Sequence, residues 1–275
     1  VAFMAEHPSR AYFSRILRDG GFRVAMEVGV ADGRFSEHFL ADSRPTTWYM
    51  VEPFPNAGLS SRYPIDGVAP QAPANNKKKK GSLRGNPSVS QLAKSTWKDR
   101  GIGIGTELIF FRHLSLDRKV LHAVPDGSVD LIYLDGAHDY RTVKEELFAF
   151  WPKVRPGGML AGHDYCNYGE ASLPCKGCER VPVCPPYTEY GIQVGKPKGR
   201  RSANQQDVVR AVQEWLLENQ PELPIYHTFE NFTRASLAAD GMDYELIIAP
   251  TRNPSWFVMK ALRPRARQRL DRAGS

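Results

Sequence analysis

Two short stretches carry side chains whose types and spacing could do chemistry. Residues 133–140, YLDGAHDY, close an aliphatic run (Val129-Asp130-Leu131-Ile132-Tyr133-Leu134) with Asp135 and His138. A second run, Gly158-Met159-Leu160-Ala161-Gly162, stops at His163 and Asp164. A carboxylate accepts hydrogen bonds or holds a hard cation through its oxygens. An imidazole, with an ordinary pKa near 6.5, exchanges a proton close to neutrality. Two apolar strands that each end in an aspartate and a histidine gather such groups at one edge of a sheet.

A third stretch supplies a ligand cradle. MEVGVADGRFSEHF, residues 26–39, reads as strand, glycine turn and helix. Gly29 and Gly33 allow a tight turn and a close approach of backbone to ligand. Glu52 closes the following strand, where a carboxylate can accept both hydroxyls of a ribose. A pyrophosphate site favours G-x-G-x-x-G. Here the pattern is E-x-G-x-x-x-G, without the middle glycine, so a nucleoside lacking phosphates is the better expectation. Asp32 could cap the helix that follows.

These residues need elements to hold them. Hydrophobic periodicity predicts helices over 8–19, from about 34 to 40, over 88–98, 115–124, 140–151 and 207–219. Apolar runs predict strands over 23–28, 47–51, 107–111, 129–134 and 158–162, with Pro156-Gly157-Gly158 turning the chain into the last of these. Tyr244 to Ala249 and Ser255 to Lys260 read as a closing hairpin. Strands alternating with helices predict a doubly wound, mostly parallel α/β sheet with an antiparallel edge hairpin. Ligands of such sheets sit beyond the carboxyl ends of the strands. Glu52, Asp135 and Asp164 all fall there.

The cradle, with Glu27, Gly29, Gly33 and Glu52, resembles the cofactor motif of class I S-adenosylmethionine-dependent methyltransferases, whose fold is a seven-stranded, Rossmann-like sheet. LIYLDGAHDYRTVKEELFAFWPKVRPGGMLAGHDY, residues 131–165, is similar to a subgroup that includes metal-dependent sugar O-methyltransferases of the macrocin type. The resemblance covers roughly 22–52, 107–165 and 205–260. It implies a donor site in which Gly29 and Gly33 pack against the methionine part, Glu52 binds the ribose and Ser115 contacts the adenine region, with Glu27 and Asp135 beside them. It implies Asp135, His163 and Asp164 as ligands of a divalent metal. His163 stands where relatives have a carboxylate, which leaves manganese as well as magnesium open. Asp135 and His138 are the expected catalytic residues, His138 as general base. Tyr140 and Tyr165 either line the acceptor pocket or pack. The implied reaction is methyl transfer to a hydroxyl of a sugar or glycosylated small molecule. Two alternatives are an NAD-type oxidoreductase on the same sheet and a non-catalytic module binding nucleic acid or acidic glycan.

The rest of the composition bounds these readings. The 275 residues are 41% hydrophobic and 24% charged, ordinary for a globular chain, and no run is long enough to span a bilayer. The net charge of +7 is concentrated in Lys77-Lys78-Lys79-Lys80 and in the arginines of the tail 261–275. The body is close to neutral, and no nucleic-acid partner is expected; a homo-oligomer is compatible with the sequence. We read residues 1–260 as one domain with an insertion at about 53–85 and a cysteine-rich excursion at 163–201, followed by the basic tail. Cys166, Cys175, Cys178 and Cys184 could bind a structural zinc or form two disulfides. Their proline-rich setting favours disulfides, and with them a secretory lumen over the cytoplasm.

Overall fold

The structure is a computed structural model that describes residues 10–30, 33–53, 97, 99–166, 203–228 and 254–262. After a 3₁₀ turn at Arg10–Tyr12, the elements are α1 (Phe13–Asp19), β1 (Val24–Val28), α2 (Arg34–Asp42), β2 (Thr47–Val51), β3 (Glu107–Phe111) and α3 (Arg118–Ala123). They continue through β4 (Val129–Leu134), α4 (Tyr140–Phe150), β5 (Val154–Gly162), α5 (Ala203–Asn219), β6 (Tyr226–His227) and β7 (Trp256–Met259). Seven strands form one sheet in the order β3-β2-β1-β4-β5-β7-β6. β1 to β5 are parallel, and β7 runs antiparallel to both β5 and β6.

Alternation along the strands builds two cores. Met26, Val28, Ile132, Leu134, Leu160 and Val258 pack on one face with α3, α4 and α5. Ala25, Leu131, Tyr133, Met159, Ala161 and Phe257 pack on the other with α1 and α2. Each strand is thus covered on both sides, as parallel strands require. The amino end of the sheet is pinned by Asp130, which accepts from the backbone N–H of Arg23 (2.8 Å) and Val24 (2.7 Å) and from the Arg155 guanidinium. Lys260 reinforces it by donating to the carbonyls of Trp151 (2.8 Å) and Val154 (2.7 Å). The opposite end is left for function.

Two elements differ from expectation. Pro156-Gly157-Gly158 is no turn before a strand: β5 starts at Val154, and its register against β4 shifts between Val129 and Leu131 to absorb the irregular stretch. Gly157 takes up the bulge at φ +77°. The reversed strand β7 lies one place in from the edge, with the two-residue β6 outside it. The expected hairpin partner at 244–249, most of the helix at 88–98, Asp32, the lysine run and the arginine tail lie outside the described residues.

Candidate active site

The glycine bend after β1 sits against the loop after β4. Gly29 has φ +86°, and a Cβ on it would stand 2.2 Å from the Asp135 carbonyl oxygen and 2.5 Å from the Gly136 Cα. The bare face of Gly29 is therefore filled by the very loop that carries Asp135, a tighter requirement than room for a ligand. Gly33, at φ +81°, is the residue before α2 and donates its N–H to the Val30 carbonyl (2.8 Å). Glu27 is 2% exposed; its carboxylate accepts from the Ser36 hydroxyl, whose oxygen accepts from Trp48 Nε1 (3.1 Å). These contacts tie β1 to α2 and β2, so Glu27 braces the bend from inside. Glu52 is half-buried just past β2, its N–H donating to the Phe111 carbonyl (3.0 Å).

The loop after β4 ends at Asp139, which caps α4 by accepting from the Thr142 N–H (3.0 Å). That cap fixes His138 immediately outside the helix. The loop after β5 is bent at Asp164, whose φ of 57° lies in the left-handed region, uncommon for a residue with a Cβ. The bend is held on either side: His163 donates its N–H to the Leu134 carbonyl (3.0 Å) and Tyr165 to that of Pro254 (2.8 Å). Backbone conformations of this kind concentrate at functional sites.

These loops bring four of the expected residues together. His138 Nδ1 lies 3.0 Å from Asp164 Oδ2. His163 Nδ1 lies 3.3 Å from Asp164 Oδ1 and 3.3 Å from Asp135 Oδ1. Acid and imidazole alternate: Asp135, His163, Asp164, His138. Burial alone would lower the His138 pKa. The charge and hydrogen bond of Asp164, aided by Asp135 and Glu146, outweigh it and raise the ring to about 9. His138 is thus largely protonated at neutrality, contrary to the ordinary value on which its role as base was expected. His163 is buried; its Nε2 has no hydrogen-bond partner among the described residues.

The same geometry tests the expected metal set. Asp135, His163 and Asp164 do meet, but the ring nitrogen faces both carboxylates and takes the charge-neutralising place that a cation would take. Among the described residues no group of three or more His, Cys, Asp and Glu side chains could hold a metal ion. As placed, these residues do not fit one, and no step below runs through a metal. Cys166 is buried and disulfide-bonded, with its partner outside the described residues, so it has no thiolate to offer zinc.

The two tyrosines pack. Tyr140 donates its hydroxyl to Glu214 and lies under Arg210, whose guanidinium is 4.4 Å from the ring centre, joining α4 to α5. Tyr165 is 1% exposed and accepts from the Gln213 amide through its hydroxyl. Ser115 stands in the loop between β3 and α3, beside a residue the expectations missed. Glu146 of α4 is 1% exposed, and neither of its carboxyl oxygens has a hydrogen-bond partner among the described residues. Burial pushes its pKa up to about 7; the Ser115 hydroxyl is near enough to pull that value down without forming a well-made hydrogen bond. Its sequence signal was available: Val143, Glu146, Leu147 and Phe150 follow helical spacing, with one acid in the apolar stripe.

A family model described as a methyltransferase domain matches residues 26–165, from the strand before the glycine bend to the residue after Asp164. The chain belongs to the methyltransferase-domain family. The oxidoreductase alternative is set aside by that match. No curated protein matches the chain. Among solved structures, a protein of Corynebacterium glutamicum is 13% identical with a TM-score of 0.51, covering 96% of this chain and 88% of its own. A structure from Staphylococcus aureus described as a putative caffeoyl-CoA O-methyltransferase is 14% identical with a TM-score of 0.48, covering 90% of this chain and 80% of its own. At 13% identity the first likeness is one of fold alone.

Proposed function

We propose that this methyltransferase moves the methyl group of S-adenosylmethionine to a hydroxyl oxygen of a sugar or glycosylated small molecule. The single observation that carries the hydroxyl reading is the alternating chain Asp135–His163–Asp164–His138 at the rim beside the glycine bend. Family and fold support the donor; the likeness of residues 131–165 to sugar O-methyltransferases supports the acceptor class.

In the reaction the acceptor oxygen attacks the methyl carbon opposite the sulfur. The carbon–sulfur bond breaks with its electron pair going to sulfur, which becomes a neutral thioether. The hydroxyl proton must leave to a base as the oxygen bonds to carbon. Facing Asp135 and Asp164, His163 Nδ1 is best placed to keep its proton, which leaves the lone pair on Nε2. His138 enters the reaction protonated and paired with Asp164. A sulfonium brought into the rim carries the same sign of charge and lowers the His138 pKa by repulsion, towards a value at which it too can accept a proton. The donor would thus prepare its own base, and the neutral thioether product would undo the effect. Holding the acceptor oxygen in line with the methyl carbon is the larger part of the task, and the rigid loops at Asp135 and Asp164 suit it.

Calorimetric titration with S-adenosylmethionine, followed by transfer of a labelled methyl group to a panel of free and glycosylated alcohols, tests this reading. Saturable donor binding and label in an alkali-stable ether are the expected results. Absence of donor binding would overturn it. A divalent metal implied by the resemblance would have to displace His163 Nδ1 from between the carboxylates. Retention of turnover in excess chelator would agree with the chain as placed; its loss would restore the metal.

A further inference from the structure

The buried stripe of α4 is formed by Val143, Glu146, Leu147 and Phe150. Three pack as apolar residues in the core shared with α3 and α5. The acid among them is 1% exposed, with both oxygens lacking a hydrogen-bond partner among the described residues. A buried carboxyl with unmade hydrogen bonds is costly, and a leucine would fill such a position without that cost.

Three observations say where the carboxyl points. Side chains on a helix lean towards its amino end, and the amino end of α4, capped by Asp139, lies at the carboxyl end of β4. Its polar neighbour is the Ser115 hydroxyl, in the loop after β3. His138, in the loop after β4, acts on it electrostatically. Glu146 thus faces the space between two loops that both belong to the ligand rim, on the α3–α5 side of the sheet.

The donor would meet this rim in parts. Its methionine portion belongs at the Gly29 bend and its ribose at Glu52, the end of β2. That leaves the purine for the side where Ser115 and Glu146 lie. A carboxylate accepts hydrogen bonds and cannot donate; of the purine's groups, the 6-amino group is the one that donates. We propose that Glu146 is a binding residue for the purine of the methyl donor, accepting a hydrogen bond from its 6-amino group beside Ser115. The inference rests on the donor reading above and adds to it a specificity residue supplied by α4.

The full chain is titrated calorimetrically with S-adenosylhomocysteine and with its analogue lacking the 6-amino group. The wild type is expected to prefer the amino compound by about 10- to 100-fold, the range for a hydrogen bond to a buried charged group. In Glu146→Leu the preference falls to within about twofold, since the 6-amino group loses its partner. A melting temperature at or above that of the wild type shows that this variant is folded. Glu146→Gln keeps an acceptor oxygen and retains part of the preference. A preference in Glu146→Leu equal to that of the wild type would overturn the inference, as expected if buried water serves the carboxyl. A wild type that binds neither compound would instead remove the donor reading, and the inference with it.

Discussion

The stability of this protein should depend on pH through one side chain that makes no ion pair. Burial raises the Glu146 carboxyl from 4.5 to about 7. For an acid raised in the folded state, the unfolded chain releases its proton first. Stability is therefore complete below about pH 4.5 and is lost as pH rises through about 7, the folded chain by then carrying an unfavourable buried charge. The gap between the two values converts to about 3 kcal/mol, an upper figure because relaxation around a buried charge reduces it. Glu146→Leu removes the titration and places an apolar side chain in the stripe of Val143, Leu147 and Phe150. Urea denaturation of wild type and variant at pH 4.5 and at pH 8 gives four unfolding free energies. On raising the pH, the wild type is expected to lose about 3 kcal/mol more than the variant. Other titrating groups are common to both proteins and cancel in the difference. Parallel profiles, within about 0.5 kcal/mol, would refute the reasoning, because they would mean that Glu146 is solvated or paired in solution.

Asp164→Asn keeps a residue that tolerates the left-handed backbone and removes the charge that pairs with His138 and His163; methyl transfer should fall by about 100-fold or more while donor affinity, measured by calorimetry, stays within a few fold. Gly29→Ala sets a Cβ 2.2 Å from the Asp135 carbonyl oxygen, so the melting temperature should drop by several degrees and turnover should fall with it, as the Asp135 loop is pushed away from His163. The His138–Asp164 pair contributes stability that is fully present below about pH 6.5 and lost as pH rises through about 9, because the folded value lies above the unfolded one. Denaturation of His138→Gln across pH 6 to 10 should show a flatter profile than the wild type.

The sheet and its ligand edge were legible in the sequence for a physical reason. A strand covered on both faces must be apolar throughout, so Val129–Leu134 and the run ending at Gly162 stand out, and the residues that stop such runs lie at strand ends. β2, β3 and β4 start and end where the apolar runs do. The Pro156-Gly157-Gly158 stretch misled because proline and glycine serve a bulge as well as a turn, and only pairing with β4 distinguishes the two.

The sequence alone determined that Asp135, His138, His163 and Asp164 share an edge, and that the bend at Gly29 and Gly33 adjoins it. Tertiary structure decided how they use one another. His163 Nδ1 faces two carboxylates, so what read as three metal ligands is a chain of acids and imidazoles. The His138 pKa, too, depends on neighbours 26 residues away in the chain or more distant in origin than its own loop. Glu146 is the plainest case: its place in an apolar stripe can be read from spacing, but the absence of a partner cannot. Hydrogen bonds and desolvation depend on distances across elements, which helical and strand periodicities do not encode.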